Sequence, residues 1–427
     1  MLSDVLASYN LRRFNKNIRY FLLHGIPFFA GLGIFSVLFN LYLLRLGFQE
    51  DVIGRLAGML PLASGLLAFP VGLWSDRIGR KPFLVSGALI QGAAQLGLCF
   101  LVDPSLLLAL SFLAGFAPAF LFVNHVPFLA ENSRPENRGH AISMAFSMQL
   151  LTRMAVSLVG GSLPAFFGWM MSAGLDRPEP FRYALMVGAA FSLLSVIPIL
   201  KVKERETLEP GAPADLSNAE SRELETGDRS EGPPIGILAK FMGVSAFRGL
   251  AFGLSMPFFN VFFDDVLQAS AATIGLIFFA GQLLGVPSSM AAPAMSGRYG
   301  PIRCIVPFRA AGAVALALFG GLSELGWACS VFLLIMAVDS LTTPMEMTFA
   351  THSVSQRYWG RIQSLRVAGF QVLAGGASMW AGEMIMRHGY GHTFVLSGAA
   401  TLLSGLLLLA GFGWGHSEKD GRPVPIG

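Results

Sequence analysis

Long apolar runs alternate with short polar turns along this chain, and the runs lack the period-2 alternation of barrel strands. Each is about 20 residues or more, the length of helix that crosses roughly 30 Å of hydrocarbon. The pattern predicts twelve such helices, at 20–44, 52–74, 82–102, 106–130, 140–167, 182–200, 238–264, 272–296, 302–322, 327–351, 361–386 and 393–414. Between the sixth and seventh, residues 201–234 are rich in Glu, Pro, Ser and Ala and poor in aromatics, the composition of a disordered linker. The predicted fold class is therefore an all-α integral membrane protein with 12 transmembrane helices in two six-helix bundles, 20–200 and 235–414. An N-terminal segment (1–19), the linker (201–234) and a tail (415–427) complete the chain. Met1 to Phe14 is expected to lie along the membrane interface as a short amphipathic helix.

Composition agrees with membrane insertion. Hydrophobic residues make up 53% of the chain, charged residues 13%, and mean hydropathy is +0.59, which together exclude a water-soluble globule. Cys99, Cys304 and Cys329 fall in or beside different runs and read as apolar packing, with neither metal spacing nor a disulfide framework. The net charge of +4 is scattered among turns, so no nucleic-acid partner is expected. Of the 30 Lys and Arg residues, 22 fall on the side holding both termini and the linker, five on the other side and three (Arg153, Arg248, Arg309) within spans. That bias predicts cytoplasmic termini in a multi-pass protein of the plasma (inner) membrane.

One turn is more specific than the rest. Gly72-Leu73-Trp74-Ser75-Asp76-Arg77-Ile78-Gly79-Arg80-Lys81-Pro82 packs three cations and a carboxylate between two apolar runs, so it must sit at a membrane surface as a hairpin. Gly79 permits a sharp reversal, Pro82 suits the first turn of the next helix, and Asp76 is expected to accept from a neighbouring helix N-terminus. The halves also repeat at an offset of 221: Ile53-Gly54 maps to Ile274-Gly275, Gly79 to Gly300, Gly161 to Gly382 and Gly168 to Gly389. In the second copy Pro293 replaces Gly72 and Gly297 replaces Asp76.

The 72–82 loop resembles the signature G-x-L-a-D-r-x-G-r-k of the major facilitator superfamily (MFS) of secondary transporters, and Gly72, Asp76, Arg77, Gly79, Arg80 and Lys81 all stand where that pattern places them. The resemblance implies two bundles around a central cavity, alternating access by rocking of the halves, and a cavity lined by the first, fourth, seventh and tenth helices.

A charge at mid-bilayer costs about 2.5–3.5 kcal/mol, so every charge kept within a span is a candidate for function. In the tenth span Asp339, Thr343 and Glu346 share one face at i, i+4 and i+7. Asp339 or Glu346 is the candidate proton carrier, with an ion pair as the alternative. Asn124 and His125, the repeat counterpart of Glu346, are expected to face it across the cavity and to contact substrate. Gln149 and Arg153 share a face of the fifth span, where Arg153 either binds an anionic group or pairs with Asp339. Arg248, Asn40 and Asn260 complete the candidate cavity set, while Arg309, in the ninth span that the resemblance places at the periphery, is expected to snorkel and His24 to pack.

Together with the resemblance, these residues point to a monomeric secondary transporter of a small solute, with protons as the expected coupling ion and efflux of an amphipathic or organic compound as the expected direction. The alternative is a transporter-like sensor or scaffold without net transport. No enzyme is expected, because no phosphate loop or nucleophile–base pair occurs, and no cofactor or metal is called for.

Overall fold

A computed structural model of the protein describes residues 14–133, 135–203, 235–355 and 358–413. The expected interfacial segment (apart from Phe14), the linker from residue 204 onward and the tail lie outside the described residues. The described chain forms twelve long helical units, read here as α1 (Lys16–Arg45), α2 (Glu50–Ile78), α3 (Lys81–Phe100), α4–α5 (Pro104–Ala114 and Phe116–Asn132), α6 (Pro135–Met171) and α7–α8 (Pro178–Leu194 and Val196–Leu200). The second half follows with α9 (Ile235–Ser255) and α10 (Phe259–Asp265), α11 (Ala271–Tyr299), α12 (Pro301–Phe319), α13 (Leu325–His352), α14 (Trp359–His388) and α15 (Tyr390–Phe412). Eleven units are long and apolar enough to cross a membrane. The twelfth, α14, carries Arg361, Arg366, Glu383 and Arg387, and it packs between α2 and α9.

Three units are interrupted, each where a proline removes the N–H that the carbonyl four residues earlier needs. Pro118 leaves Ala114 unbonded and the helix resets at Gly115; Pro198 does the same for Leu194 at Ser195. Pro257 sits in a single 3-10 turn, Met256–Phe258, and the carbonyl it frees, on Gly253, accepts instead from Ser378 Oγ at 3.1 Å. Asn15, Asp103 and Ser270 cap the helices they precede, accepting from backbone N–H groups at 2.8–3.2 Å.

The repeat seen in the sequence is present in the backbone. Gly79 and Gly300, 221 residues apart, both end a helix with φ near +100° and +87°, a conformation costly for any residue with a Cβ. Gly54 of α2 meets Gly382 of α14, and its repeat counterpart Gly275 of α11 meets Gly161 of α6. These are two copies of one helix crossing, related by the pseudo-twofold that relates the halves. In lipid, where apolar surface gains nothing by leaving the solvent, small residues that let backbones approach supply the packing energy. A Cβ on Gly54 would stand 2.5 Å from Ser378 O, and one on Gly275 2.4 Å from Ser157 O.

Between described residues, the polar bonds that join the halves lie from mid-helix to the end opposite the 72–82 loop. Arg45 makes a two-pronged pair with Asp264 at 2.7 Å, Tyr390 Oη donates to Glu50 Oε1 at 2.9 Å, and Asn260 Nδ2 donates to Val37 O at 3.0 Å. Asn40 Nδ2 donates to Pro257 O at 2.7 Å, and deepest of the set Gln282 Nε2 donates to Ser157 Oγ at 2.6 Å. The far end of the molecule is sealed.

Gly382→Ala should oppose that seal, because the new methyl would lie 2.1 Å from Glu50 O; overpacking of this kind costs about 1–3 kcal/mol. With Cys99, Cys304 and Cys329 removed, an Arg45→Cys/Asp264→Cys chain should cross-link readily, and adding Gly382→Ala should lower the yield. An unchanged yield would mean that the glycine crossing does not govern closure.

Candidate functional site

The second half holds a buried ionic cluster built by α9, α12, α13, α14 and α15. Glu346 of α13 is fully buried. Its Oε2 pairs with Arg309 of α12, its Oε1 accepts from Arg366 Nη2 of α14 at 2.7 Å, and Arg248 Nη1 of α9 stands 3.6 Å from Oε2. Ser245 Oγ donates to Oε1 at 3.3 Å, and Arg309 reaches Ser404 of α15 at 3.4 Å. A single carboxylate thus ties together α9, α12, α13 and α14 and, through Arg309, α15. Removing one partner of a buried pair leaves an uncompensated charge, at a cost of about 3–5 kcal/mol.

Toward the space between the halves, the cluster ends in Asp339 and Thr343. Arg248 Nη2 donates to Asp339 Oδ1 at 2.9 Å and to Thr343 Oγ1 at 2.6 Å. Asp339 is exposed over 60% of its side chain, whereas Arg309 is exposed over 2%. Arg309 does not snorkel: burial among α13, α14 and α15 and the pull of Glu346 hold it inside. Arg366, grouped by sequence with the surface cations, is likewise an inner member of the cage. Arg248, Arg309 and Arg366 in apolar runs with a single nearby buried acid were the available signal for both.

The repeat counterparts in the first half are chemically unlike. At an offset of 221, Glu346, Arg309 and Arg366 become His125, Ala88 and Ala145. His125 is buried between Phe21 and Phe146, with ring centroids at 5.2 and 5.1 Å, so it does not face Glu346 across open space. It lines a small cavity of about 10 Å³ with Phe21, Leu22, Gly25, Phe29, Leu121, Ala145, Met148 and Gln149. Neither His125 ring nitrogen nor Gln149 Oε1 has a hydrogen-bond partner. His24, buried as expected, contacts Ser195 O through Nδ1 at 2.8 Å.

Asn124 does not reach a cavity. Its Oδ1 accepts from Arg80 Nη1 at 3.2 Å and its Nδ2 donates to Phe120 O. Arg80 is the hub of the signature turn: it also donates to Asp76 Oδ1 at 2.9 Å, to Glu131 Oε1 at 2.8 Å and to Ser75 Oγ at 3.3 Å. Asp76 therefore takes its bond from Arg80 and not from a helix N-terminus, while Ser75 Oγ donates to Gly72 O. Arg77 is exposed, and Arg77 and Lys81 make no polar bond to another described residue. Asn40 and Asn260, expected to line the cavity, instead spend their amides on the seal between the halves. Arg153 makes no pair with Asp339, whose carboxylate is taken by Arg248; its guanidinium rests on the Phe29 ring, 5.8 Å from the centroid.

Glu346→Gln should lower the melting temperature in detergent by an amount corresponding to about 3–5 kcal/mol. Adding Arg309→Met, which removes a stranded cation, should recover part of the loss. Equal melting of wild type and Glu346→Gln would show that the cage does not hold this half together.

The sequence profile of the Major Facilitator Superfamily matches residues 21–377. An MFS-type transporter of Methanocaldococcus jannaschii is 28% identical over 162 residues, 36% of this chain and 40% of that protein. Multidrug resistance protein 1 of Bacillus subtilis is 23% identical over 265 residues, 60% of this chain and 61% of that protein. Each alignment thus spans less than two thirds of the relative's own length. The crystal structure of the nucleoside transporter NupG superposes with a TM-score of 0.69 at 14% identity, over 92% of this chain and 98% of that one. The chain belongs to the Major Facilitator Superfamily.

Proposed function

We propose that this protein is a secondary transporter that carries a small solute across the membrane by alternating access. The observation that carries this reading is the one-sided seal. Two pseudo-symmetric bundles are joined by glycine crossings and by polar bonds that run from mid-helix to the end opposite the signature loop. The Lys and Arg bias supports a cytoplasmic position for the signature-loop end, and on that reading the state is inward-facing. Rocking about the crossings would exchange it for an outward-facing one, and Arg80, bound to α2, α5 and the turn between α2 and α3, would move as part of a rigid first half.

Asp339 is our candidate for the coupling proton. It is the carboxylate of the cluster that water can reach, and its partners Arg248 and Thr343 sit on two helices of the second half. A proton on Asp339 would cancel its attraction for Arg248 and free that cation to swing. Glu346, enclosed by three arginines, we assign to holding the bundle. The resemblance to multidrug resistance proteins supports efflux as the direction.

Reconstituted protein should exchange labelled solute for unlabelled solute across vesicle walls, and a pH gradient should drive accumulation. Asp339→Asn should keep the exchange and lose the gradient-driven part. Full gradient response in Asp339→Asn would remove the proton role, and an absence of exchange with every solute that binds would favour a sensor or scaffold.

A further inference from the structure

The charges carried within the membrane-spanning helices do not balance. Arg153, Arg248, Arg309 and Arg366 stand there against Asp339 and Glu346. Both carboxylates belong to the second half and both are engaged by arginines of that half. Three of these arginines share the two carboxylates, and Arg153 shares neither. It lies at the centre of α6, 18 residues from either end, and no carboxylate of a described residue pairs with it. The described acids of the first half lie in end turns or connecting loops: Glu50, Asp51, Asp76, Asp103, Glu131, Glu136, Asp176 and Glu179.

Its position is as telling as its solitude. Gln149, Arg153, Ser157 and Gly161 succeed one another at i+4 along α6, so they share one face. On that face Gly161 meets Gly275 of the other half, and Ser157 accepts from Gln282 of the other half. Arg153 is the next residue inward, about 6 Å along the axis. It stands immediately below the last bond that closes the halves, at the apex of the space that opens toward the signature loop. Beside it are the Phe29 ring it rests on and the small cavity walled by Phe21, Phe29, Leu121 and Met148. That cavity receives the unfilled hydrogen-bonding atoms of His125 and Gln149, buried polar groups that a ligand atom or water must satisfy.

We propose that the transported solute is an apolar organic carboxylate, bound with its anionic group on Arg153, its ring or chain against Phe29 and neighbouring apolar walls, and its hydration completed at His125 and Gln149. This rests on the transporter reading above and names the substrate class for it. An organic cation would meet an unneutralised guanidinium in a low-dielectric site. A carboxylate supplies the missing counter-ion and a two-pronged acceptor for the guanidinium fork. Its arrival at the apex also couples binding to the point where the halves converge.

The test uses the full chain in detergent and matched probes of one size and shape: benzoate, benzamide and benzylammonium, with 2-naphthoate as a larger acid. Binding is read by calorimetry and by the rise in melting temperature that a ligand of the folded state produces. The carboxylates should bind and the amide and ammonium should not. Arg153→Gln should weaken 2-naphthoate at least tenfold, about 1.4 kcal/mol, while Arg153→Lys, which keeps the charge, should retain part of the affinity and confirms that the site tolerates substitution. Preference for benzylammonium or benzamide, equal affinity in Arg153→Gln, or no binding of either carboxylate overturns the proposal. Exchange of labelled benzoate in vesicles separates the two claims: Arg153-dependent binding without exchange leaves the site standing and defeats transport, and exchange that ignores Arg153 does the reverse.

Discussion

A charge in hydrocarbon must find a partner, and that constraint organises this molecule more than any contact between apolar surfaces. Lipid tails are as apolar as leucine, so the helices gain little by hiding side chains from them. What distinguishes one packing from another is where the ions and the small residues fall. In the second half the answer is Glu346, at which arginines from α9, α12 and α14 converge. In the first half it is Arg80, which gathers Asp76, Glu131 and Asn124 at the membrane surface. Arg153 lies between the halves with an aromatic ring and no anion.

The two bundles share a backbone plan and divide the chemistry. Positions occupied by Glu346, Arg309 and Arg366 in one half hold His125, Ala88 and Ala145 in the other. Both halves pack aromatic rings, around Phe21 and Phe128 in the first and around Phe259, Phe319 and Phe332 in the second, but the ionic cage at Glu346 belongs to the second half alone among the described residues. Each is internally bonded, and the surfaces between them rely on glycine backbones and a few polar bonds toward one end. That distribution, with bonding inside each half and polar bonds between them confined toward one end, is compatible with rigid-body rocking.

Much of this was legible in the chain. Apolar run lengths placed the helices, because hydrocarbon thickness fixes a minimum length; even α14, too polar to qualify by hydropathy, was legible through its repeat counterpart. The repeat pairing of Gly54 with Gly275 and of Gly161 with Gly382 was legible, but that these glycines form the crossings, each with a partner in the opposite half, was not. Side-chain direction was the missing quantity. Arg309 reads as a lipid-facing cation when its helix is taken as peripheral, yet it points inward to Glu346. Asn124 and His125 are adjacent, so one turns to Arg80 and the other to Phe21, and a single shared role for both was not available. Asn40 and Asn260 lie on the expected cavity helices, but at the level where the halves touch.

The central claim is that the halves pivot as bodies, opening one end as they close the other. Pulsed electron resonance between spin labels on α6 and the second half measures this directly. One pair belongs at the sealed end, on Met171→Cys and Gln268→Cys, and one at the signature-loop end, on Arg138→Cys and Gly297→Cys. Adding a bound solute, or changing pH, should lengthen one distance while shortening the other. Two distances that stay fixed, or that lengthen together, would contradict the account.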